Sequence, residues 1–287
     1  MAETPRNENS VLSWFREDPE QRLAFSGGRF TRVNTWCAAL IGGLLSAAFY
    51  GLLVPLKDAY FAVTFTERGY VPYAIVVLTF WSLAIIGLKW LKLRLQRKAL
   101  RLRVVPDDPQ WVLSPSNVDV VTRRMDQVVD DPRKFLLFNR IDFALSNLRN
   151  LGRVTDVDEI LRSQAANDES GMETSYSLLH AFIWAIPVLG FIGTVEGLSK
   201  AVGGFGRVLA ASSELSQIKD SLNDVTRGLS VAFETTLQGL LAALAIQLIV
   251  TALKKSEEEF LDESSEYCSR NIVGRLKLTA AEPMEAA

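Results

Sequence analysis

At 287 residues, 48% hydrophobic and 22% charged, with a net charge of -2, the chain matches the average of a soluble protein of one or two domains and lacks the basic surplus of a nucleic-acid binder. That average conceals segregation, because the apolar residues fall in four long blocks separated by charged stretches. Four helices apolar on all sides cannot be covered by the polar remainder of a chain this short, so the composition excludes a soluble core and points to a membrane protein.

Residues 1–33 read as a polar N-terminal segment preceding the first block. From Trp36 to Leu56 there is no charged residue in 21 positions, close to the roughly 20 that a spanning helix needs. The block is too long for a leader's apolar core and a second one follows at once, so it is expected to persist as a span. A short turn with balanced charges, Lys57, Asp58, Glu67 and Arg68, leads to the second uncharged block, Tyr70 to Leu88. Residues 34–93 therefore form an outer hairpin, bulky and featureless apart from Gly42, Gly43 and Gly51.

Orientation follows the basic flanks. Lys89, Lys92, Arg94, Arg97, Lys98, Arg101 and Arg103 place seven positive charges in fifteen residues with no acid among them. That flank is expected in the cytoplasm, with both termini on the same side. Residues 94–175 read as a cytoplasmic helical region, with apolar repeats at Val118, Val121, Met125 and Val128 and at Leu145, Leu148 and Leu151, divided by Pro106, Pro109, Pro115 and Pro132. No phosphate-cradling glycine motif is present, so no ATPase chemistry is expected.

The third block runs from Ser177 to Val195 and the fourth from Leu229 to Leu253, interrupted only by His180 and Glu234. Leu215, Ile218, Leu222, Val225 and Leu229 extend the helical spacing upstream, with Ser212 or Ser213 as N-cap. One helix from about Ser213 to about Arg270 would be roughly 85 Å long at 1.5 Å per residue. The 254–287 segment is then a cytoplasmic helix and tail. Cys37 and Cys268 are too far apart to pair, no metal-ligand cluster exists, and His180 reads as an interfacial hydrogen-bonding residue.

Spans three and four carry stripes of small residues. Pro187, Gly190, Thr194, Gly197 and Ala201 share one face, and Ala232, Thr236, Gly239 and Ala243 do the same on the next span. Such stripes let helix backbones approach closely in lipid. Thr194 and Thr236 place hydroxyls at similar depth. Each either bonds back to its own helix or lines a shared interface or pore. Glu234 with Gln238, and Glu196 with Lys200, are polar pairs one turn apart, and an acid at membrane depth must be protonated, paired or wet. Each acid lies two residues, about 200° of rotation, from its neighbouring threonine.

The run Ala185-Ile-Pro-Val-Leu-Gly-Phe-Ile-Gly-Thr-Val-Glu-Gly-Leu198, with Gly228-Leu-Ser-Val-Ala-Phe-Glu-Thr-Thr-Leu-Gln-Gly-Leu240 after it, resembles the proton-channel family of MotA, TolQ and ExbB. The resemblance covers His180 to Leu253. It implies an all-α membrane protein in the bacterial cytoplasmic membrane, with four transmembrane helices and long helices extending into the cytoplasm, assembled as a homopentamer. The pentamer would enclose two copies of a single-span MotB-, TolR- or ExbD-like partner bearing a transmembrane aspartate. It implies no cofactor and no enzyme activity, but ion flow converted into rotation or mechanical work. By position Thr194 and Thr236 match the pore threonines, with Thr235 and Glu234 beside them in the ion path. Pro187, Gly190, Gly193, Gly197 and Gly239 match the packing positions. The chain departs from the family at Val231, where an acid is usual, at Glu196, and in pairing four spans with the Gly-Thr-Val motif of three-span members. Two other classes are a non-conducting structural oligomer and a small-solute transporter. The second lacks support from any inverted repeat.

Overall fold

The computed structural model describes residues 11–106, 108, 111–148, 154–211 and 215–277. The expected N-cap at Ser212 or Ser213, together with Pro109 and Leu151, lies outside these residues. Two single-turn helices, α1 (Trp14–Glu17) and α2 (Pro19–Arg22), are followed by α3 (Thr35–Leu53), α4 (Tyr60–Thr66), α5 (Val71–Leu100), α6 (Val118–Val128), α7 (Leu136–Asn147), α8 (Val154–Ser175), α9 (Ser177–Ala211) and α10 (Leu215–Asn271). Among the described residues there is no sheet, only two isolated bridges, Leu12 with Val129 and Leu113 with Leu276. Four helical stretches are long and apolar enough to cross a membrane. The protein is a multi-pass membrane protein.

The chain divides into two units. The apolar unit comprises 35–87 and 176–252. Its first helix, α3, contains no charge and stops where Pro55 enters a 3₁₀ turn, since proline cannot donate the next helical hydrogen bond. The connection to α5 is more than the short turn expected from its charges. It contains α4, and Gly69 adopts φ +87° just before α5, a conformation that glycine reaches without strain. The outer hairpin is also not featureless. The α-carbon of Trp81 lies so near Gly42 that a Cβ there would sit 2.6 Å away, and Phe49 packs against Tyr50, Phe65 and Phe80 at centroid distances of 5.4, 5.3 and 5.6 Å. Trp81 in turn contacts Phe182 of α9 at 4.8 Å.

The polar unit comprises 1–34, 88–175 and 253–287. It has a continuous hydrophobic core to which α6 gives Val118, Val121 and Met125, α7 gives Leu137, Ile141 and Leu145, the end of α10 gives Cys268, and the turn after it gives Ile272. The three- and four-residue spacing of these positions is the amphipathic signal that builds each helix. The N-terminal strand of chain is fastened to the α6–α7 connection. The Asp130 carboxylate accepts the Ser13 hydroxyl at 2.7 Å and the backbone N–H of Trp14 at 2.9 Å, while Trp14 is buried edge-on against Phe135.

Inside this unit lies a set of buried charges. Lys92 is fully buried between Asp18, at 3.6 Å, and Glu20, and also donates to the carbonyls of Gly28 (3.2 Å) and Arg32 (2.8 Å). Burial pushes the Asp18 carboxyl above the ordinary range, against the opposing pull of Lys92. Lys89 pairs with Glu257 at 3.1 Å, and Thr31 donates its hydroxyl to the same carboxylate. Two of the seven cations in the basic flank are therefore interior side chains, not solvated charges, because carboxylates distant in sequence fold back onto them.

Candidate functional site

In the apolar unit α9 and α10 meet along a seam of small residues. Gly190, Gly193, Gly197, Ala232, Thr235 and Gly239 are all buried there. A Cβ on Gly193 would lie 2.5 Å from Thr235 Oγ1, and one on Gly239 would lie 2.9 Å from the Ile186 carbonyl. The backbones pass too closely for any larger residue, as packing without a hydrophobic driving force requires. Gly228, which composition alone did not single out, extends the seam. A Cβ there would lie 2.7 Å from Ala201 Cβ. Pro187 sits inside α9 without ending the helix and is half-buried, one residue from Ile186 in the seam.

Thr194 and Thr236 face one another across the seam and their hydroxyls are hydrogen-bonded together. Thr236 Oγ1 also donates to the Gly190 carbonyl of α9 at 3.0 Å, and Thr194 Oγ1 to the Ala232 carbonyl of α10 at 3.0 Å. Each hydroxyl thus reaches a carbonyl of the opposite helix. A hydroxyl has one proton and two lone pairs, so these three hydrogen bonds share only two protons, and the pattern can alternate without moving the backbone. Both threonines are half-buried at the edge of the seam. Thr235 differs. It is fully buried against Gly193 and bonds back to the Val231 and Ala232 carbonyls, both at 3.1 Å.

Glu234 points elsewhere on α10. Arg68 approaches it with Nε 2.8 Å from Oε2 and Nη2 3.2 Å from Oε1, and Tyr60 and Ser230 donate to Oε1 at 2.9 and 2.8 Å. Arg68 and Glu234 are only 14% and 13% exposed. Gln238, expected beside Glu234, instead donates to the Thr64 carbonyl at 3.1 Å. Both polar residues therefore reach the α4 segment of the hairpin, and the acid is neutralised by an arginine that had read as one of four balanced loop charges. The available signal was the need itself: an acid in an apolar helix requires a cation, and Arg68 is among the few near the spans. Glu196 pairs with Lys200 at 2.6 Å on an exposed face of α9.

The arrangement offers a neutral hydroxyl pair between closely packed helices, flanked by exposed apolar side chains such as Phe191 and Phe233. Residues 139–266 match the model of the MotA/TolQ/ExbB proton channel family. This region is a MotA/TolQ/ExbB family region. It contains α9, most of α10, and hence both threonines and the whole glycine seam. No curated protein and no solved structure matches the chain.

Proposed function

We propose that this chain is the ion-conducting subunit of a membrane motor or energiser complex, five copies enclosing a dimer of MotB-, TolR- or ExbD-like single-span partners. The observation that carries the reading is the Thr194–Thr236 hydroxyl pair at the α9–α10 seam, inside the MotA/TolQ/ExbB region. The partner's membrane aspartate would take up and release the ion opposite these hydroxyls. The resulting flow would drive rotation of the pentamer about the partner dimer. The threonine pair lines the path, and Glu234, ion-paired with Arg68 and hydrogen-bonded through Oε1 by Tyr60 and Ser230, serves as a clamp between α10 and the hairpin rather than as an ion carrier. The domains follow the sequence reading: outer hairpin 34–93, cytoplasmic region 94–175, channel region 176–253 and cytoplasmic tail 254–287, with both termini in the cytoplasm of a bacterial cell.

One observation favours a second reading, a non-conducting structural oligomer. Both hydroxyls already find backbone carbonyls within the chain, as helix-gluing threonines do. The two readings separate on Thr236→Val in complexes co-purified with the partner and reconstituted in vesicles. The motor reading expects ion flux lost with five copies per particle still counted by native mass spectrometry. Unchanged flux in the variant, or a monomeric or dimeric particle, would sink it.

A further inference from the structure

A cavity of about 250 Å³ lies in the polar unit, bounded by Arg29, Arg32, Gln164, Asn167, Asp168 and Glu257 among others. Its charges are unevenly compensated. Glu257 is held by Lys89 and Thr31, and Asp168 by Arg140 at 2.7 Å with Gln164 at 3.1 Å. Both acids are therefore neutralised from behind by lysine and arginine side chains that are themselves only 1% exposed.

Among the described residues neither Arg29 nor Arg32 pairs with a carboxylate. Arg29 donates to the Arg133 carbonyl at 3.2 Å and to the Asn139 side-chain oxygen, both neutral acceptors. Arg32 extends its guanidinium over Gly171, where a Cβ would come within 3.1 Å of Nη2, and among the described residues it pairs with no carboxylate. The Asn167 amide likewise makes no hydrogen bond within the described residues. Two exposed guanidinium groups without a carboxylate partner among the described residues, Arg29 resting 4.8 Å over the Phe30 ring, and an exposed amide border one cavity, and guanidinium forks match phosphate and carboxylate geometry.

Several residues of the lining are close in sequence to the apolar segments. Arg32 precedes the start of α3 by three residues, Met172 precedes α9 by five, and Glu257 follows the end of the fourth apolar block by four. We propose that the cavity binds a phosphate group, and that its source is the headgroup of an anionic phospholipid in the adjoining leaflet. The lipid source rests on the cytoplasmic orientation given above, because that leaflet carries the negative surface potential to which basic pockets respond. The phosphate site itself does not depend on the orientation.

The test uses the full-length protein in non-ionic detergent, titrated with phosphatidylglycerol, phosphatidylcholine or inorganic phosphate while thermal unfolding is followed by tryptophan fluorescence. Phosphatidylglycerol is expected to raise the midpoint and phosphatidylcholine to leave it unchanged. The half-saturating concentration should rise roughly fivefold in Arg32→Gln and about thirtyfold in the Arg29→Gln/Arg32→Gln double variant. Asn167→Asp, which sets a carboxylate at the cavity while keeping both arginines, should weaken binding without altering the unligated midpoint. Protection by inorganic phosphate with no lipid preference would uphold the phosphate site and move its source to the cytosol. Equal half-saturation in wild type and a natively folded double variant, or no protection by any of the three probes, overturns the inference. Loss of ion flux elsewhere in the molecule would leave this result intact.

Discussion

The two units bury polar groups by different means. In the polar unit, full charges go inside: Lys92 with Asp18 and Glu20, Lys89 with Glu257, and Arg140 with Asp168. Loop carbonyls at Gly28 and Arg32 supply the remaining acceptors. In the apolar unit the seam uses neutral hydroxyls on helix carbonyls, and its buried ion pair, Arg68–Glu234, stands apart from the seam on the hairpin side of α10. The difference follows from what each backbone can offer. Irregular segments have spare carbonyls to solvate a buried ammonium, whereas helices in lipid have spent theirs and can share them only with groups as small as a hydroxyl. A charged network fixes one arrangement, and a hydroxyl pair permits exchange. Under the proposed function, that is the property wanted where an ion must pass.

Breaking the rigid side should have the largest effect. Lys92→Ala leaves Asp18 and Glu20 buried without a cation and is expected to cost about 3–5 kcal/mol, visible as a lowered unfolding midpoint and faster proteolysis of the polar unit. An unchanged midpoint would mean the cluster is hydrated in solution. The seam comes next. Gly239→Val places side-chain atoms against the Ile186 carbonyl and should cost about 1–3 kcal/mol and weaken assembly, whereas the same change at Gly43, which has open space around it, should be neutral by the same melts.

The Arg68–Glu234 pair sharpens the comparison through a double-mutant cycle. Arg68→Met and Glu234→Gln should each destabilise, and together by less than their sum, with a coupling of about 1–2 kcal/mol. Additive effects would remove the clamp. A smaller effect again is expected from Thr235→Val, whose hydroxyl bonds only to its own helix and should contribute about half a kcal/mol. The smallest concerns two carboxyls of the polar unit, Asp142, which burial raises against the pull of Arg133, and Asp126, which is raised by burial and by Asp142. A raised carboxyl binds its proton more tightly in the folded state, so its contribution to stability is full below the ordinary value of 3.8 and is lost as pH rises through the elevated one. Asp142→Asn should therefore flatten the pH dependence of the melting temperature just above 3.8.

Much of this plan is legible in the sequence, and what is legible depends on local periodicity. The four spans are written in uncharged runs, and α10 continues unbroken because nothing between Leu215 and Asn271 is glycine-rich or proline-bearing. The stripe at Gly190, Gly197, Ala232 and Gly239 announces a close helix pair because small residues at helical spacing have few other uses in lipid. Partner choice across long separations is not written locally. Arg68 and Glu234 are 166 residues apart, and Lys92 finds Glu20 across 72. From sequence the first read as a balanced loop and the second as a topology signal. Thr194 and Thr236 were visible as candidates, but that each would reach the opposite helix's carbonyl required the register of the seam.

The most direct test compares ion flux through reconstituted complexes carrying Thr236→Val, Thr235→Val or Glu234→Gln, each checked for intact assembly. The exchangeable hydroxyl pair as ion path predicts flux abolished in Thr236→Val and retained in the other two. Wild-type flux in Thr236→Val, or loss confined to Glu234→Gln, would contradict it.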